Sequence, residues 1–411
     1  MRKLRLAALL SLAAALVTNL GCVELDGQRL SWFYDAAKDE LKILLHYDGV
    51  HESRNGGNER GAEQIPKFVE SGSILVWDWP FHLDMANVRA KAADETADPQ
   101  QKEWAAAILS MKVEPVGYYR EPDGRVGAAQ MITIPNAKKF VGLINELINA
   151  QIVENASPDG PMDRTQKRIE QAAKNGHPWI TLDGHAVRVV IPVHPTEWAL
   201  ARGEFLEEIA EGVARVLKED ASTDDKNGYR MILGVLASGP ISCIDRKDQV
   251  EFVVGWPKAP CTFRTKIRDE YEPSLEKVLI RSVKIDLDAD LAEALLDEDA
   301  KPSPGVSAML KFGPPEEQVR ALLAVAGGEE EGRQKAALGR LGKFARQWNR
   351  EHGQPEAPAE RDDADEYLTA WRQWYEQMRV FPLKVEENVG ENTETEPADA
   401  KPAEEPAEAK P

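Results

Sequence analysis

Residues 29–47, RLSWFYDAAKDELKILLHY, contain two runs of aromatic and branched side chains on either side of a short polar spacer. The runs are residues 29–34 and 41–47, and the spacer is residues 35–40. Aromatic and β-branched runs of this length are typical of strands, and a short polar spacer predicts a turn between them. Residues 29–47 are therefore predicted to form a β-hairpin.

The order of hairpin followed by helix recurs along the chain. Pro122-Asp123-Gly124 and Asp183-Gly184 are turn sequences, each between two strand-like runs. These runs predict an α+β domain over residues 22–285, an antiparallel sheet of β-hairpins with helices packed on it. The units are either a degenerate internal repeat or parts of one ordinary α+β domain. The predicted strands are 113–120 with 126–134, 179–182 with 185–193, and 229–236, 241–244 and 250–256, and a helix is predicted over 266–280.

The composition becomes helical after residue 286. Residues 286–384 are predicted to form a helical region packed on the α+β domain, with Trp371, Trp374 and Tyr375 as an apolar stripe that docks on it. Residues 385–411 contain almost no core-forming side chains, but nine acidic and two basic ones. This tail is predicted to be disordered. The predicted helices are 290–296, 316–325, 331–350 and 367–378.

Residues 1–21 have the layout of a secretory signal. Arg2, Lys3 and Arg5 precede an apolar run over residues 6–20, which ends at Gly21-Cys22. About twenty residues are needed to span a bilayer, so this run is too short for a transmembrane helix.

This segment resembles the signal peptide of a bacterial lipoprotein, although Asn19 and Leu20 depart from the aliphatic and small residues that the family prefers. The resemblance implies cleavage before Cys22 and attachment of diacylglycerol to its thiol. It places the protein in the bacterial cell envelope, with the lipid bilayer as a partner, and Val23 implies the outer membrane in a Gram-negative cell. Secretion with cleavage elsewhere and an uncleaved anchor are the alternatives.

The chain is strongly acidic, with 51 Lys and Arg against 70 Asp and Glu and a net charge of −19. Removal of residues 1–21 would make it more acidic, because that segment carries only basic charges. Nucleic acid and anionic lipid surfaces repel such a surface, so neither is an expected partner.

Three cysteines are present, at positions 22, 243 and 261. If Cys22 is lipidated, Cys243 and Cys261 remain as an even pair in a compartment that permits disulfides. They lie on either side of the predicted strand 250–256, so a disulfide between them is expected. Two separate thiols are the alternative.

Two His-x-Asp pairs are the best candidates for chemistry. His46 with Asp48 and His82 with Asp84 each place an imidazole and a carboxylate two residues apart, on one face of an extended strand. Zinc and other divalent metals accept such ligands. The alternative is that these residues are polar ends of strands.

Other motifs are weaker. Trp77 and Trp79 could stack on a sugar or belong to the core. Asp286, Asp288 and Asp290 resemble the start of a calcium loop, but Leu291 replaces the required glycine, and capping of a helix explains them as well.

The sequence favours a lipid-anchored cell-envelope protein that acts without catalysis, by binding an unknown protein or ligand or by serving as a scaffold. No cofactor is expected under this hypothesis. The alternatives are a metal-dependent hydrolase that uses His46, Asp48, His82 and Asp84 with zinc or another divalent metal, and a carbohydrate-binding protein that uses Trp77 and Trp79.

Overall fold

The computed structural model describes residues 23–52, 74–76, 79–81, 85–154, 164–199, 241–266, 286–297 and 299–379. It contains two larger antiparallel sheets and a helical C-terminal region, so the predicted α+β class is confirmed. The predicted signal peptide with Cys22, the tail over 385–411, and the elements predicted within 201–240 and 267–285 lie outside the described residues.

The larger sheet has five strands in the order β13-β2-β3-β8-β7. Both predicted hairpins within it are confirmed, because β2 pairs with β3 and β7 pairs with β8. Strand β13 adds to the free edge of β2, with Cys261 opposite Trp32. The strands are β2 (Gly27–Asp35), β3 (Glu40–Asp48), β7 (Lys112–Arg120), β8 (Val126–Pro135) and β13 (Cys261–Lys266).

The second sheet has four strands in the order β11-β12-β10-β9. Its predicted hairpin is present, but the turn is Gly184-His185, because Asp183 still pairs with Ala186. Gly184 has a φ of +55°, a value that glycine adopts without strain. The strands are β9 (Ile180–Asp183), β10 (Ala186–Ile191), β11 (Ile241–Asp245) and β12 (Val250–Val254); β1 (Val23–Glu24) with β4 (His51–Glu52) and β5 (Ile74–Val76) with β6 (Trp79–Phe81) form two-stranded ribbons.

Among the described residues, four helices precede the C-terminal region and five form it. The first group is α1 (Met85–Ala93), α2 (Pro99–Ser110), α3 (Ala137–Glu154) and α4 (Arg164–Lys174). The second group is α5 (Leu287–Leu296), α6 (Pro304–Phe312), α7 (Pro315–Ala326), α8 (Glu331–Glu351) and α9 (Ala364–Arg379). The four predicted C-terminal helices are all present, and α6 is an addition. It is only nine residues long, with Ser303 as N-cap, so its periodicity is too short to stand out in the sequence.

Both faces of the five-stranded sheet are buried. Leu45 and Tyr47 point to one face, in a core that includes Phe140 of α3. Leu44 points to the opposite face, against Leu291 of α5 and other residues of the C-terminal helices. This alternation is the period of two expected for a strand, and it assigns His46 and Asp48 to the face that α5, α6 and α7 cover.

The expected disulfide between Cys243 and Cys261 is not formed in the structure. The prediction is wrong because the two residues lie in different sheets. Cys261 is buried on β13 in the five-stranded sheet, and Cys243 is exposed on β11 in the four-stranded sheet. Burial raises the pKa of the Cys261 thiol to about 12, so this thiol is unreactive at neutral pH.

Within the described part of the chain, none of the helices is both long enough and apolar enough to cross a bilayer.

Candidate functional site

Three basic side chains form a row across the five-stranded sheet. Arg264 on β13 lies opposite Arg29 on β2, and Arg29 lies opposite His46 on β3. Residues directly opposite in an antiparallel pair project to the same face. Arg29 and His46 have no exposed surface, and Arg264 is 6% exposed. The sheet therefore presents a row of buried basic groups to the C-terminal helices.

Helix α7 supplies the matching carboxylates from its first turn. Arg264 holds Glu316 with two hydrogen bonds of 2.9 Å from Nη2, one to each carboxylate oxygen. Arg29 Nη1 lies 3.3 Å from Glu316 Oε1 and also contacts Glu317 Oε1. Acidic groups at a helix N-terminus are stabilised by the helix dipole. The helix is thus joined to the sheet at its acidic end.

Asp48 binds the other side of the Arg29 guanidinium. Arg29 donates from Nε (2.9 Å) and Nη2 (2.7 Å) to the two oxygens of Asp48, and the Tyr119 hydroxyl donates to Oδ1 at 2.6 Å. Burial alone would raise the pKa of Asp48. The charges of Arg29 and Arg379 and these hydrogen bonds outweigh it and hold the pKa well below its usual range. Asp48 is therefore ionised, and its oxygens are engaged.

Arg320, one turn after Glu317 on α7, extends the contacts to α5. Its guanidinium lies 2.6 Å from Glu317 Oε2 and 2.7 Å from Asp288 Oδ1. The same group lies 3.7 Å above the centre of the Tyr119 ring, a cation–π distance. The backbone N–H of Arg120 also donates to Asp288, at 3.0 Å. One arginine thus joins two helices to strand β7.

The acidic triplet before α5 has a structural role. Asp286 is the N-cap, and it accepts hydrogen bonds of 3.1 Å from the backbone N–H groups of Asp288 and Ala289. Asp288 pairs with Arg320. Capping by Asp286 and the ion pair of Asp288 therefore account for two of the three positions that resemble a calcium loop.

A second group of contacts joins α9 to the end of β7. The Tyr375 hydroxyl donates to Glu121 Oε2 at 2.6 Å, and Arg379 Nε lies 3.4 Å from the same oxygen. Burial raises the pKa of Glu121 to about 7, although the charge of Arg379 opposes the shift. Glu121 is 1% exposed. The last helix is thus held to the sheet by a nearly inaccessible carboxyl group.

Together these residues form what we call the interface ion network. Within the described chain it contains four buried arginines and five buried carboxylates, and it lies between the five-stranded sheet and helices α5, α7 and α9. Charges buried this deeply persist only when they are paired and hydrogen-bonded. The members are Arg29, Asp48, Glu121, Arg264, Asp288, Glu316, Glu317, Arg320 and Arg379, with His46, Tyr119 and Tyr375 beside them.

His46 is the unusual member. Neither ring nitrogen has a hydrogen-bond partner among the described residues, and Nε2 lies 3.6 Å from Glu317 Oε2. Burial, together with the charges of Arg29 and Arg320, lowers the pKa of His46 to about 4 against the opposing pull of Glu317 and Asp48. The imidazole is therefore neutral at physiological pH.

The structure bears on only part of the predicted metal site. His46 and Asp48 share one face of β3, but Asp48 is bound to Arg29 and Tyr119 rather than free to hold a cation. His82 and Asp84 lie outside the described residues. In the part of the chain that the structure describes, no group of three or more His, Cys, Asp or Glu residues is placed to hold a metal ion.

Of the two tryptophans proposed for sugar binding, one belongs to the described residues. Trp77 is outside the described residues, and Trp79 belongs to β6. Cys22, the proposed lipid-attachment residue, directly precedes β1 and is likewise outside them. The carbohydrate hypothesis and the anchor therefore stay predictions.

Sequence reasoning did not find most of the interface ion network. The one local indication is Arg29, a charged residue inside a strand of mainly apolar neighbours. Its partners Glu316 and Glu317 lie almost three hundred residues further along the chain. No local pattern connects such distant positions.

Comparison with known proteins gave no relatives: the chain matches no protein-family model, no curated protein and no solved structure.

The pKa of His46 predicts an acid-sensitive fold. The unfolded side chain, with a pKa of 6.5, takes up a proton as pH falls, whereas the folded one stays neutral down to about pH 4. Its contribution to stability is therefore lost as pH falls from about 6.5 to about 4. We expect His46→Gln to flatten the dependence of the unfolding free energy on pH between 6.5 and 5, measured by urea denaturation.

The raised pKa of Glu121 acts in the opposite direction, because its contribution is lost as pH rises through about 7. Glu121 is present in both the wild-type protein and His46→Gln. The difference between the two slopes of unfolding free energy against pH therefore reports the effect of His46. The matched variant His194→Gln removes an exposed histidine and should keep the wild-type slope. An unchanged slope in His46→Gln would contradict the assignment.

Proposed function

We propose that this protein is a lipid-anchored protein of the bacterial cell envelope that acts without catalysis, as a binding protein or scaffold. The observation that carries the proposal is the burial of the interface ion network. Arg29, His46 and Glu316, which have the chemistry that catalysis uses, have no exposed surface. A substrate has no access to them, so their arrangement suits a structural role.

The network supports a scaffold because it joins separate elements into one unit. Arg29 alone contacts side chains of β3, β7 and α7. Removal of one partner from such a buried pair leaves an uncompensated charge, so relative movement of sheet and helices is costly. A rigid body of this kind suits a protein that presents a surface to a partner.

The proposed anchor is adjacent in sequence to this rigid body. Cys22 directly precedes β1, in which Val23 and Glu24 pair with Glu52 and His51. Leu25 is then fully buried in the core. A lipid on Cys22 would therefore hold the domain against the bilayer surface with no spacer between them.

The lipid anchor is tested with Cys22→Ala. Two acyl chains give stable attachment to a bilayer, so we expect the native protein to enter the detergent phase in phase partitioning. The variant should move to the aqueous phase and lose incorporation of radiolabelled fatty acid. Cys243→Ala, which removes an exposed cysteine, should behave as the native protein does. Retention of Cys22→Ala in the detergent phase would contradict the proposed lipid anchor.

The hydrolase and carbohydrate hypotheses are not supported by an observation of their own. Their distinctive residues, His82, Asp84 and Trp77, lie outside the described part of the chain.

A further inference from the structure

Helix α8 carries a wholly basic outer face on an acidic protein. Between its terminal residues, Glu331 and Glu351, it has six basic residues and no acidic one. At 100° per residue, Lys335, Lys343, Arg346 and Arg350 lie opposite the buried stripe formed by Ala337, Leu341, Ala345 and Trp348, and Arg333 and Arg340 lie on its flank. We call this face the α8 basic surface; it consists of Arg333, Lys335, Arg340, Lys343, Arg346 and Arg350.

The α8 basic surface has room for a ligand along its length. A side chain added at Gly332 or Gly339 would meet no other atom within 4 Å. Among the described residues, Arg346 and Arg350 form long ion pairs of 3.8 Å with Glu360 and Glu351, and all four side chains are exposed. Exposed pairs at such distances are weak, so they leave these basic groups available to a stronger anionic partner.

We propose that the α8 basic surface is the docking site for the chain's own acidic tail, residues 385–411. The tail carries nine acidic side chains and two basic ones. It contains almost no core-forming residues, so it is not expected to pack into a hydrophobic core. The two segments are complementary in charge, whereas the chain as a whole, at −19, is not complementary to an anionic partner.

Helix α9, which precedes the tail in sequence, packs against the buried side of α8, one helix width from the basic surface. Helix α9 ends at Arg379, and Trp374, five residues earlier, stacks edge-on against Trp348 of α8 with ring centroids 5.4 Å apart. The seven residues from Arg379 to Glu386 can span up to about 25 Å. Helix α8 is about 30 Å long. The tail therefore has the reach to run along the whole basic surface.

Covalent attachment to the same chain favours the tail over a free anionic ligand at the α8 basic surface. A short flexible connection gives an effective concentration in the millimolar range, so even a weak electrostatic contact is populated. A lipid surface is the less favoured occupant. Helices that lie on membranes insert an apolar face, but the apolar face of α8, including Leu341 and Trp348, is buried inside the protein.

The proposal is tested by zero-length cross-linking of the full chain in detergent micelles. A carbodiimide joins a carboxylate to an amine only in direct contact, and peptide mass spectrometry locates the link. At about 20 mM salt we expect links from Lys335 and Lys343 to the tail glutamates. These should fall at least about five-fold at 0.5 M salt, because salt screens exposed charges. The pair Lys139 and Glu103, 2.6 Å apart, is the internal reference.

Charge reversal separates docking from chance encounters. Arg333→Glu, Arg346→Glu and Arg350→Glu together leave both reporter lysines in place and should abolish the links to the tail. The matched control reverses three exposed basic residues elsewhere, Arg89, Lys91 and Lys138, and should keep the links.

Two results would overturn the proposal. One is cross-linking of the tail to lysines outside α8 that persists after the charge reversal on α8. The other is binding of the full chain to phosphatidylglycerol vesicles through α8, with no tail links in solution, which would assign the surface to lipid headgroups instead.

Discussion

Replacement of Arg29 by alanine is expected to lower the free energy of unfolding by about 3–5 kcal/mol. The change removes the bidentate partner of Asp48 and the cation that contacts Glu317. Both carboxylates would then be buried with their principal counter-charge missing. Urea denaturation followed by circular dichroism measures the loss.

The matched control is an exposed pair. Lys139→Ala breaks the contact with Glu103 at the surface and should cost less than about 1 kcal/mol. Asp48→Asn in the Arg29→Ala background removes one unpaired charge, so it should recover part of the lost stability. A cost for Arg29→Ala no larger than that for Lys139→Ala would show that the network does not hold the sheet and helices together.

Replacement of Trp371 by alanine is expected to cost about 3–5 kcal/mol as well, for a different reason. This side chain is fully buried and is the largest among the most buried residues of the described structure. Its ring lies 5.4 Å from that of Trp374 and 5.9 Å from that of Phe344, both in edge-on contact. Alanine would leave a cavity among α7, α8 and α9 that the surrounding aromatic rings could not fill.

Trp256→Ala is the comparison for this variant. Trp256 is 55% exposed, so its removal should change the unfolding free energy by no more than about 0.5 kcal/mol. Thermal unfolding by calorimetry measures both variants. If the two cost the same, the helical core is not what stabilises the C-terminal region.

Sequence patterns predicted the parts of the fold that depend on neighbours in the chain. The hairpin of β2 and β3 follows from two strand-like runs around one polar turn. The helices α7, α8 and α9 follow from apolar positions at helical spacing. Trp371, Trp374 and Tyr375 are buried, but Trp371 and Trp374 pack inside the helical core and not on the α+β domain as predicted. Of the three, Tyr375 reaches that domain, through Glu121. In each case the energy that forms the element is local or comes from one periodic face.

The interface ion network could not be predicted in this way. Its basic row exists only because β13 pairs with β2, which places Arg264 opposite Arg29 across more than two hundred residues of chain. The same dependence explains the wrong disulfide prediction. Cys243 and Cys261 are close in sequence, but the strands that carry them enter different sheets. Register between distant strands is decided by tertiary packing, and one sequence does not reveal it.

The separation between Arg29 and Glu316 also has a consequence in time. Synthesis proceeds from the N-terminus at about 5–20 residues per second, and these partners are 287 residues apart. The residues of the central hairpin are therefore synthesised about 15–60 s before the carboxylates of α7. Through that interval Arg29 must stay hydrated, so the face of the sheet that carries it cannot close. The native packing of the helices on the sheet therefore forms only after almost the whole chain has been synthesised.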